Sequence, residues 1–151
     1  MNRVSFEQIL QWTEAELVGI FGSERLPAGI SSDTRTIAEG ELVLALRGQN
    51  FDGHEYVGDA FAKGAVAAIV ERDWLEKKQI HFPGPLLVVD SGLHALGSLA
   101  RNYRKQFDIP VVAIVGSAGK TTAKELIAAV LANKYRTLKT VDNENNEIGV
   151  P

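Results

Sequence analysis

A glycine-rich segment followed by a lysine and two threonines is the part of this sequence whose residue types best suit chemistry. It reads Gly116-Ser117-Ala118-Gly119-Lys120-Thr121-Thr122. Glycines allow successive backbone N–H groups to converge on one point, and a helix that follows presents its positive end there. Lysine adds a full charge, and a hydroxyl beside it can ligate a Mg²⁺ ion that bridges phosphates. The segment therefore predicts a polyphosphate site in which Lys120 contacts phosphate and Thr121 contacts the metal.

A simpler interpretation of the same segment is a glycine turn between a strand and a helix, with Lys120 exposed to solvent. The most common phosphate-loop pattern has a glycine at the position of Ile114. This sequence therefore keeps only the shorter pattern G-x-x-G-K-T-T. Lysine in the first turn of a helix is repelled by the helix dipole unless an anion is bound. The charge of Lys120 at this position therefore favours the phosphate site.

The elements predicted around this segment are those that a phosphate loop requires. Apolar runs predict strands at 111–115 and 135–140, and residues 120–131 have the pattern of an amphipathic helix. Pro110 disfavours helical geometry at the residue before it, so a preceding helix ends there. We predict a first domain at 1–108 and the beginning of a second at 109–151.

Residues 1–108 alternate between strand and helix patterns, which indicates a mixed α/β domain. Ser5 and Gln8 have the spacing of a capping box and predict an opening helix. Ile30 and the run 41–46 are interpreted as two strands joined by a polar turn. Further strands are predicted at 65–70 and 86–90, and further helices from the loop at 49–54 to Gly64 and from Ser91 to 107.

Composition and charge exclude several classes of protein. The 16 basic and 19 acidic residues are scattered, with a net charge of -3, so no basic stripe predicts a nucleic-acid partner. The absence of cysteine excludes disulfides and thiolate metal sites. No apolar run approaches the roughly 20 residues that span a bilayer, and acidic residues interrupt the first thirty positions. We therefore expect a cytoplasmic protein with no membrane partner.

Several motifs, in this order along the chain, resemble the Mur ligases. The resemblance is greatest to the members that join D-alanyl-D-alanine to UDP-N-acetylmuramoyl-tripeptide, and it covers nearly the whole chain. The motifs are Ser32-Asp33-Thr34-Arg35, Gly40-Glu41-Leu42-Val43-Leu44-Ala45-Leu46, Gly48, Asn50-Phe51-Asp52-Gly53-His54, Gly64-Ala65, the loop at 116–122 and Asn143-Glu144-Asn145-Asn146-Glu147-Ile148-Gly149.

The resemblance implies a three-domain ATP-dependent ligase. Its first, mixed α/β domain holds the UDP end of the substrate, and its central domain, of the P-loop ATPase type, holds ATP and Mg²⁺. A third domain closes over both. The reaction activates a carboxylate as an acyl phosphate, which an amine attacks to form an amide. The chain then contains the UDP-sugar-binding domain and the first strand, phosphate loop, helix and strand of the central domain.

Site residues follow from the matched positions. The resemblance implies that ATP is bound by Gly116, Ser117, Ala118, Gly119, Lys120, Thr121 and Thr122, with Thr121 on Mg²⁺. It implies that the UDP end contacts Thr34, Arg35, Gln49, Asn50, Phe51 and His54, and that the muramoyl-peptide side contacts Asn143, Asn145 and Asn146. Phe51 can stack on the uracil ring, and Arg35 can meet the diphosphate. Taken alone, these residues also fit structural roles: turn formers at Asp33 and Thr34, a core residue at Phe51 and a helix cap at His54.

The resemblance also implies that further parts of the active site lie beyond residue 151, among them a Mg²⁺-binding carboxylate, an adenine clamp and the amino-acid-binding domain. Phosphoryl transfer needs all of these parts together, so we expect the 151-residue chain alone to be inactive. The full enzyme is expected to be a monomer. The alternatives are a non-catalytic module that binds a UDP-sugar or nucleotide, another Mur-type or folate-polyglutamating ligase, and an unrelated phosphate-loop NTPase.

Overall fold

The computed structural model describes residues 4–21, 26–48, 51–78 and 82–140. It divides into two compact units, residues 1–103 and 104–151. The first unit contains the sheet and its covering helices. The second contains the glycine-rich segment and the helix that follows it.

A five-stranded sheet, in the order β1-β5-β4-β3-β2, organises the described part of the first unit. Its strands are β1 Glu16–Val18, β2 Ile30–Ser31, β3 Leu42–Leu44, β4 Ala67–Glu71 and β5 Leu86–Val89. Strands β2 to β5 are parallel, and β1 pairs antiparallel with β5. All residues of β3 and β5 are buried, as expected for parallel strands covered on both faces.

Helices cover the two faces of this sheet. They are α1 Phe6–Thr13, α2 Val57–Ala62, α3 Arg72–Lys77 and α4 Gly92–Arg104, and a 3₁₀ turn, Gly53–Tyr56, precedes α2. Helices α1 and α4 pack with Leu42 and Leu44 on one face. Helices α2 and α3 pack with Val43 on the other, because successive side chains of a strand point to opposite faces. The sheet is therefore the middle layer of three.

Local signals in the sequence correctly predicted where two of these helices begin. The Gln8 N–H donates to Ser5 Oγ at 3.2 Å, and the Ser5 N–H donates to Gln8 Oε1 at 2.9 Å, which completes the capping box of α1. At the start of α4, the His94 N–H donates to Ser91 Oγ at 3.3 Å. Each cap satisfies a backbone N–H that has no partner within its helix.

Strands β2 and β3 are neighbours, but the polar segment between them does not form a hairpin. Ile30 pairs with Leu42 in parallel register. The chain between them runs back along the sheet and buries Ile37 on the face that α2 covers. Just before the two strands begin, the Ala28 N–H donates to the Gly40 carbonyl at 2.8 Å. The sequence interpretation also missed β1, which is three exposed residues, and α3, in which Trp74 alone is buried.

The second unit contains helix α5, Lys120–Ala132, as the sequence predicted. The strands predicted at 111–115 and 135–140 are wrong for the described residues, since 104–140 includes no strand. An apolar run has strand propensity, but a strand forms only where its backbone pairs with a neighbour. Neither segment has such a neighbour in the described chain.

In all the described residues of both units, no helix has the length and apolar character needed to cross a bilayer.

Candidate functional site

In the loop that follows β3, backbone hydrogen bonds join the segment 46–48 to the segment 51–53. Arg47 and Asp52 form an isolated antiparallel bridge, and the Gly48 N–H donates to the Phe51 carbonyl at 2.7 Å. The Gly53 N–H then donates to the Leu46 carbonyl at 2.9 Å. A Cβ at Gly53 would lie 2.9 Å from that carbonyl oxygen, so the close approach of the two arms requires glycine. Gln49 and Asn50, two of the predicted UDP contacts, lie outside the described residues.

Phe51 is an exposed aromatic residue and not the core residue that one interpretation suggested. It is 51% exposed, and its ring stacks on that of Tyr56 with centroids 5.5 Å apart and an angle of 20° between the planes. Tyr56 is 42% exposed. A stacked and partly exposed aromatic pair suits contact with a planar base, because bases stack on aromatic rings. Tyr56 was not among the predicted ligand contacts, because only the folded structure shows that its ring stacks on Phe51.

His54 is buried, and the protein occupies both of its ring nitrogens. Nε2 accepts from the Glu71 N–H at 3.0 Å, so Nδ1 is the donor to Asp52 Oδ1, 2.5 Å away. The His54 side chain has 0% exposure. This arrangement contradicts the predicted substrate contact, because the ring has neither surface nor a nitrogen for a ligand. The cap of the 3₁₀ turn is Asp52, whose Oδ1 accepts from the His54 backbone N–H at 3.0 Å.

The turn after β2 contains an ion pair that the sequence analysis did not predict. Arg35 Nη2 lies 2.6 Å from Asp33 Oδ2, and the Arg35 side chain is 87% exposed. Lys63 Nζ donates to the Thr34 carbonyl at 2.8 Å, which places a second positive charge at the turn. Two cations beside one exposed turn suit an anionic ligand such as a diphosphate.

The Asp33 carboxyl gives the first testable prediction. Hydrogen bonds from the Arg35 guanidinium and from the Arg35 backbone N–H lower the pKa of Asp33 to about 2. Because this folded-state pKa lies below the ordinary value of 3.8, the stability that the pair contributes is present above pH 3.8 and is lost as the pH falls through about 2. We expect carboxyl carbon shifts in NMR to show Asp33 titrating near 2.

Arg35→Ala should raise the Asp33 pKa toward its ordinary value, but not fully, because the backbone donor at position 35 remains. Arg72→Ala removes a guanidinium that pairs with Glu16 and Asp90 instead, and should leave Asp33 unchanged. Titration of Asp33 near 3.8 in the parent protein would contradict the ion pair.

The glycine-rich segment forms an exposed loop that opens directly into α5. Gly119 has a φ of +75°, in the left-handed region that favours glycine, and α5 begins at the next residue. Within the described chain, no side chain caps this helix, and its first turn contains no acidic residue. Lys120 Nζ donates to the Gly116 carbonyl at 2.8 Å, which holds the ammonium over the loop. Because the first N–H groups of a helix have no partner within it, this end fits a phosphate group.

The described residues include no group of three or more His, Asp or Glu side chains that could hold a metal ion. The predicted Mg²⁺ contact through Thr121 involves one hydroxyl and stays a prediction. Asn143, Asn145 and Asn146 lie outside the described residues, as does the whole segment 141–151.

Comparison with protein families assigns the two parts of the chain to one kind of enzyme. Residues 28–104 match the Mur ligase family, catalytic domain, and residues 114–151 match the Mur ligase middle domain. The chain belongs to the Mur ligase family.

Its curated relatives include UDP-N-acetylmuramoyl-tripeptide--D-alanyl-D-alanine ligases. The one from Synechocystis is 44% identical over 124 residues, which are 81% of this chain and 26% of that protein. The one from Escherichia coli is 37% identical over 151 residues, which are 100% of this chain and 31% of that protein. The chain therefore spans less than a third of the length of these two relatives.

Solved structures show the same fold. MurF from Acinetobacter baumannii superposes with a TM-score of 0.83 at 32% identity, over 99% of this chain and 32% of that one. MurF ligase from Thermotoga maritima, in complex with ADP, superposes with a TM-score of 0.71 at 35% identity, over 80% of this chain and 27% of that one. The mixed α/β fold and the family resemblance are thus confirmed.

Proposed function

We propose that this chain is the N-terminal part of an ATP-dependent amide ligase that joins D-alanyl-D-alanine to UDP-N-acetylmuramoyl-tripeptide. The observation that carries the proposal is the start of α5, where Gly119 is the N-cap residue and Lys120 Nζ donates back to the Gly116 carbonyl of the glycine loop. It occurs in a chain whose relatives are named for this reaction and include a ligase in complex with ADP. The enzyme would act in the cytoplasm as a monomer.

The second unit, in this proposal, binds the phosphates of ATP. The backbone of residues 116–122 surrounds them, and the Lys120 ammonium moves from the Gly116 carbonyl to the β- and γ-phosphates. Thr121 would hold Mg²⁺, which supplies charge neutralisation when bound. The substrate carboxylate attacks the γ-phosphorus, the bond to ADP breaks, and an acyl phosphate forms. The amine then attacks the acyl carbon, phosphate leaves, and the amine loses a proton as the amide forms.

The first unit holds the UDP end of the substrate. Phe51 and Tyr56 present an aromatic surface to uracil, while Arg35 and Thr34 meet the diphosphate with help from Lys63. The family resemblance adds Gln49 and Asn50 to the proposed UDP contact, and Asn143, Asn145 and Asn146 to the proposed contact with the muramoyl peptide; all five lie outside the described residues. The proposed boundary between the two domains remains after residue 108.

The test is phosphate release by the full-length ligase. We expect release from ATP only when UDP-N-acetylmuramoyl-tripeptide and D-alanyl-D-alanine are both present, with amide product in equal amount. Turnover with a shorter UDP-muramoyl peptide and a single amino acid would favour another Mur-type ligase. Hydrolysis without any UDP-sugar would favour a phosphate-loop NTPase, and binding without turnover would favour a non-catalytic module.

A further inference from the structure

Four residues at the carboxyl edge of the sheet form a closed ring of hydrogen bonds and ion pairs, in which Glu71 takes part through both its backbone N–H and its carboxylate. Arg47 Nε contacts Asp52 Oδ2 at 3.3 Å, and Asp52 Oδ1 contacts His54 Nδ1 at 2.5 Å. His54 Nε2 accepts from the Glu71 backbone N–H at 3.0 Å, and Glu71 Oε2 returns to Arg47 Nη1 at 2.9 Å. We call these four residues, Arg47, Asp52, His54 and Glu71, the Arg47 ring.

The Arg47 ring joins elements that are distant in sequence. Glu71 is the last residue of β4, and its Oε1 accepts from the Gly92 N–H at the start of α4 at 2.8 Å. Arg47 Nη2 reaches Asp73 in the first turn of α3 at 2.9 Å. We call the loop that follows β3 the β3 loop; its described arms, residues 46–48 and 51–53, are thereby tied to strand β4 and to helices α3 and α4. Phe51 directly precedes Asp52, which bridges to Arg47, and its own carbonyl accepts from the Gly48 N–H.

The charges of the ring depend on Arg47. Its guanidinium contacts three carboxylates, those of Asp52, Glu71 and Asp73, each within 3.3 Å. Burial raises the pKa of Asp52, but hydrogen bonds from His54 and Arg47 outweigh it, and the pKa lies below its ordinary value. Without Arg47, the three carboxylates would face one another with no cation between them. Their mutual repulsion would then act on the loop that carries Asp52.

We propose that Arg47 and Glu71 are positioning residues that hold the two described arms of the β3 loop, with Phe51 on the second arm, in the arrangement that receives the UDP end of the substrate. This inference rests on the proposed function. When the arms of a loop are already held in place, less conformational entropy is lost on binding. Breaking the ring should therefore weaken binding of the UDP-sugar more than binding of ATP. The phosphate loop at 116–122 belongs to the other unit and should keep its affinity for ATP.

The experiment is a steady-state comparison in the full-length ligase of Arg47→Gln with a matched control. Arg72→Gln removes a guanidinium of similar exposure that pairs with two carboxylates, where Arg47 pairs with three, and among the described residues its ion pairs are with Glu16 and Asp90, outside the ring. Arg47→Gln should raise the KM for UDP-N-acetylmuramoyl-tripeptide about tenfold, the size expected for losing a charge-assisted hydrogen bond that orders a site. The kcat and the KM for ATP should stay within about twofold of the parent values, as they should for all constants of Arg72→Gln.

A second variant tests whether the ring acts as a unit. Glu71→Gln keeps an acceptor for the Gly92 N–H but loses the ion pair with Arg47, so it should raise the same KM by a smaller factor. Combined with Arg47→Gln it should add little, because both changes open the same ring. Glu71→Gln also serves if Arg47→Gln does not fold. An unchanged KM for the UDP substrate in a folded variant overturns the inference, and so does an equal rise in the KM for ATP. An inactive parent protein overturns the proposed function as well.

Discussion

Replacing Lys120 by methionine in the full-length ligase should lower the rate of phosphate release by about 100-fold or more at saturating ATP, the effect of removing one donor to the transition state. Methionine keeps the length of the stem and removes the charge that neutralises the γ-phosphoryl group as it moves to the carboxylate. The loop loses the bond from Lys120 to the Gly116 carbonyl, but the left-handed φ of Gly119 and the backbone hydrogen bonds of α5 do not involve the ammonium, so the loop backbone should persist. Binding of UDP-N-acetylmuramoyl-tripeptide, measured by calorimetry, should change little.

Lys134→Met is the matched control for this substitution. It removes the same charge just beyond the other end of α5, where Lys134 lies over the Tyr135 ring at 5.6 Å. A surface lysine at that place should alter stability by no more than about 0.5 kcal/mol and should not alter the rate. If Lys120→Met behaved like this control, Lys120 would be an exposed helix residue and the phosphate site would be wrong.

Features governed by residues close in sequence were predicted correctly. The capping box of Ser5 and Gln8 involves two positions on one helical turn, and α5 follows from its own apolar pattern and from Gly119 before it. The ligand role of Phe51 came from the family resemblance, and it stays a prediction. The residues that determine the cap and the helix are close together in the sequence, so both could be predicted without knowing the fold.

Features governed by distant partners were missed or misread. His54 lies in a polar loop and looked like a ligand contact, but its ring is buried against the backbone of Glu71, 17 positions away. Lys63 reaches the carbonyl of Thr34 across 29 positions. Arg47 carries no local sign of its importance, since Asp73 and Glu71 come to it only after the strands have assembled in parallel order. The strands expected at 111–115 and 135–140 failed for the same reason, because a strand is defined by its neighbour.

Phe51→Ala should weaken the binding of UDP by about tenfold or more, because stacking of a base on an aromatic ring contributes ~1–3 kcal/mol. The side chain is half exposed and stacks only on Tyr56 among the described ring pairs, so its loss should cost the fold little, and the thermal unfolding midpoint serves to check this. Phe51→Tyr keeps the ring and should bind UDP as the parent does, whereas Phe51→Leu keeps apolar surface without a π-face and should resemble alanine more closely. Calorimetric titration of the full-length ligase with UDP measures all three variants under one condition. Parent-like affinity in Phe51→Ala would show that the aromatic pair does not receive the base, and would move the uridine site away from the β3 loop.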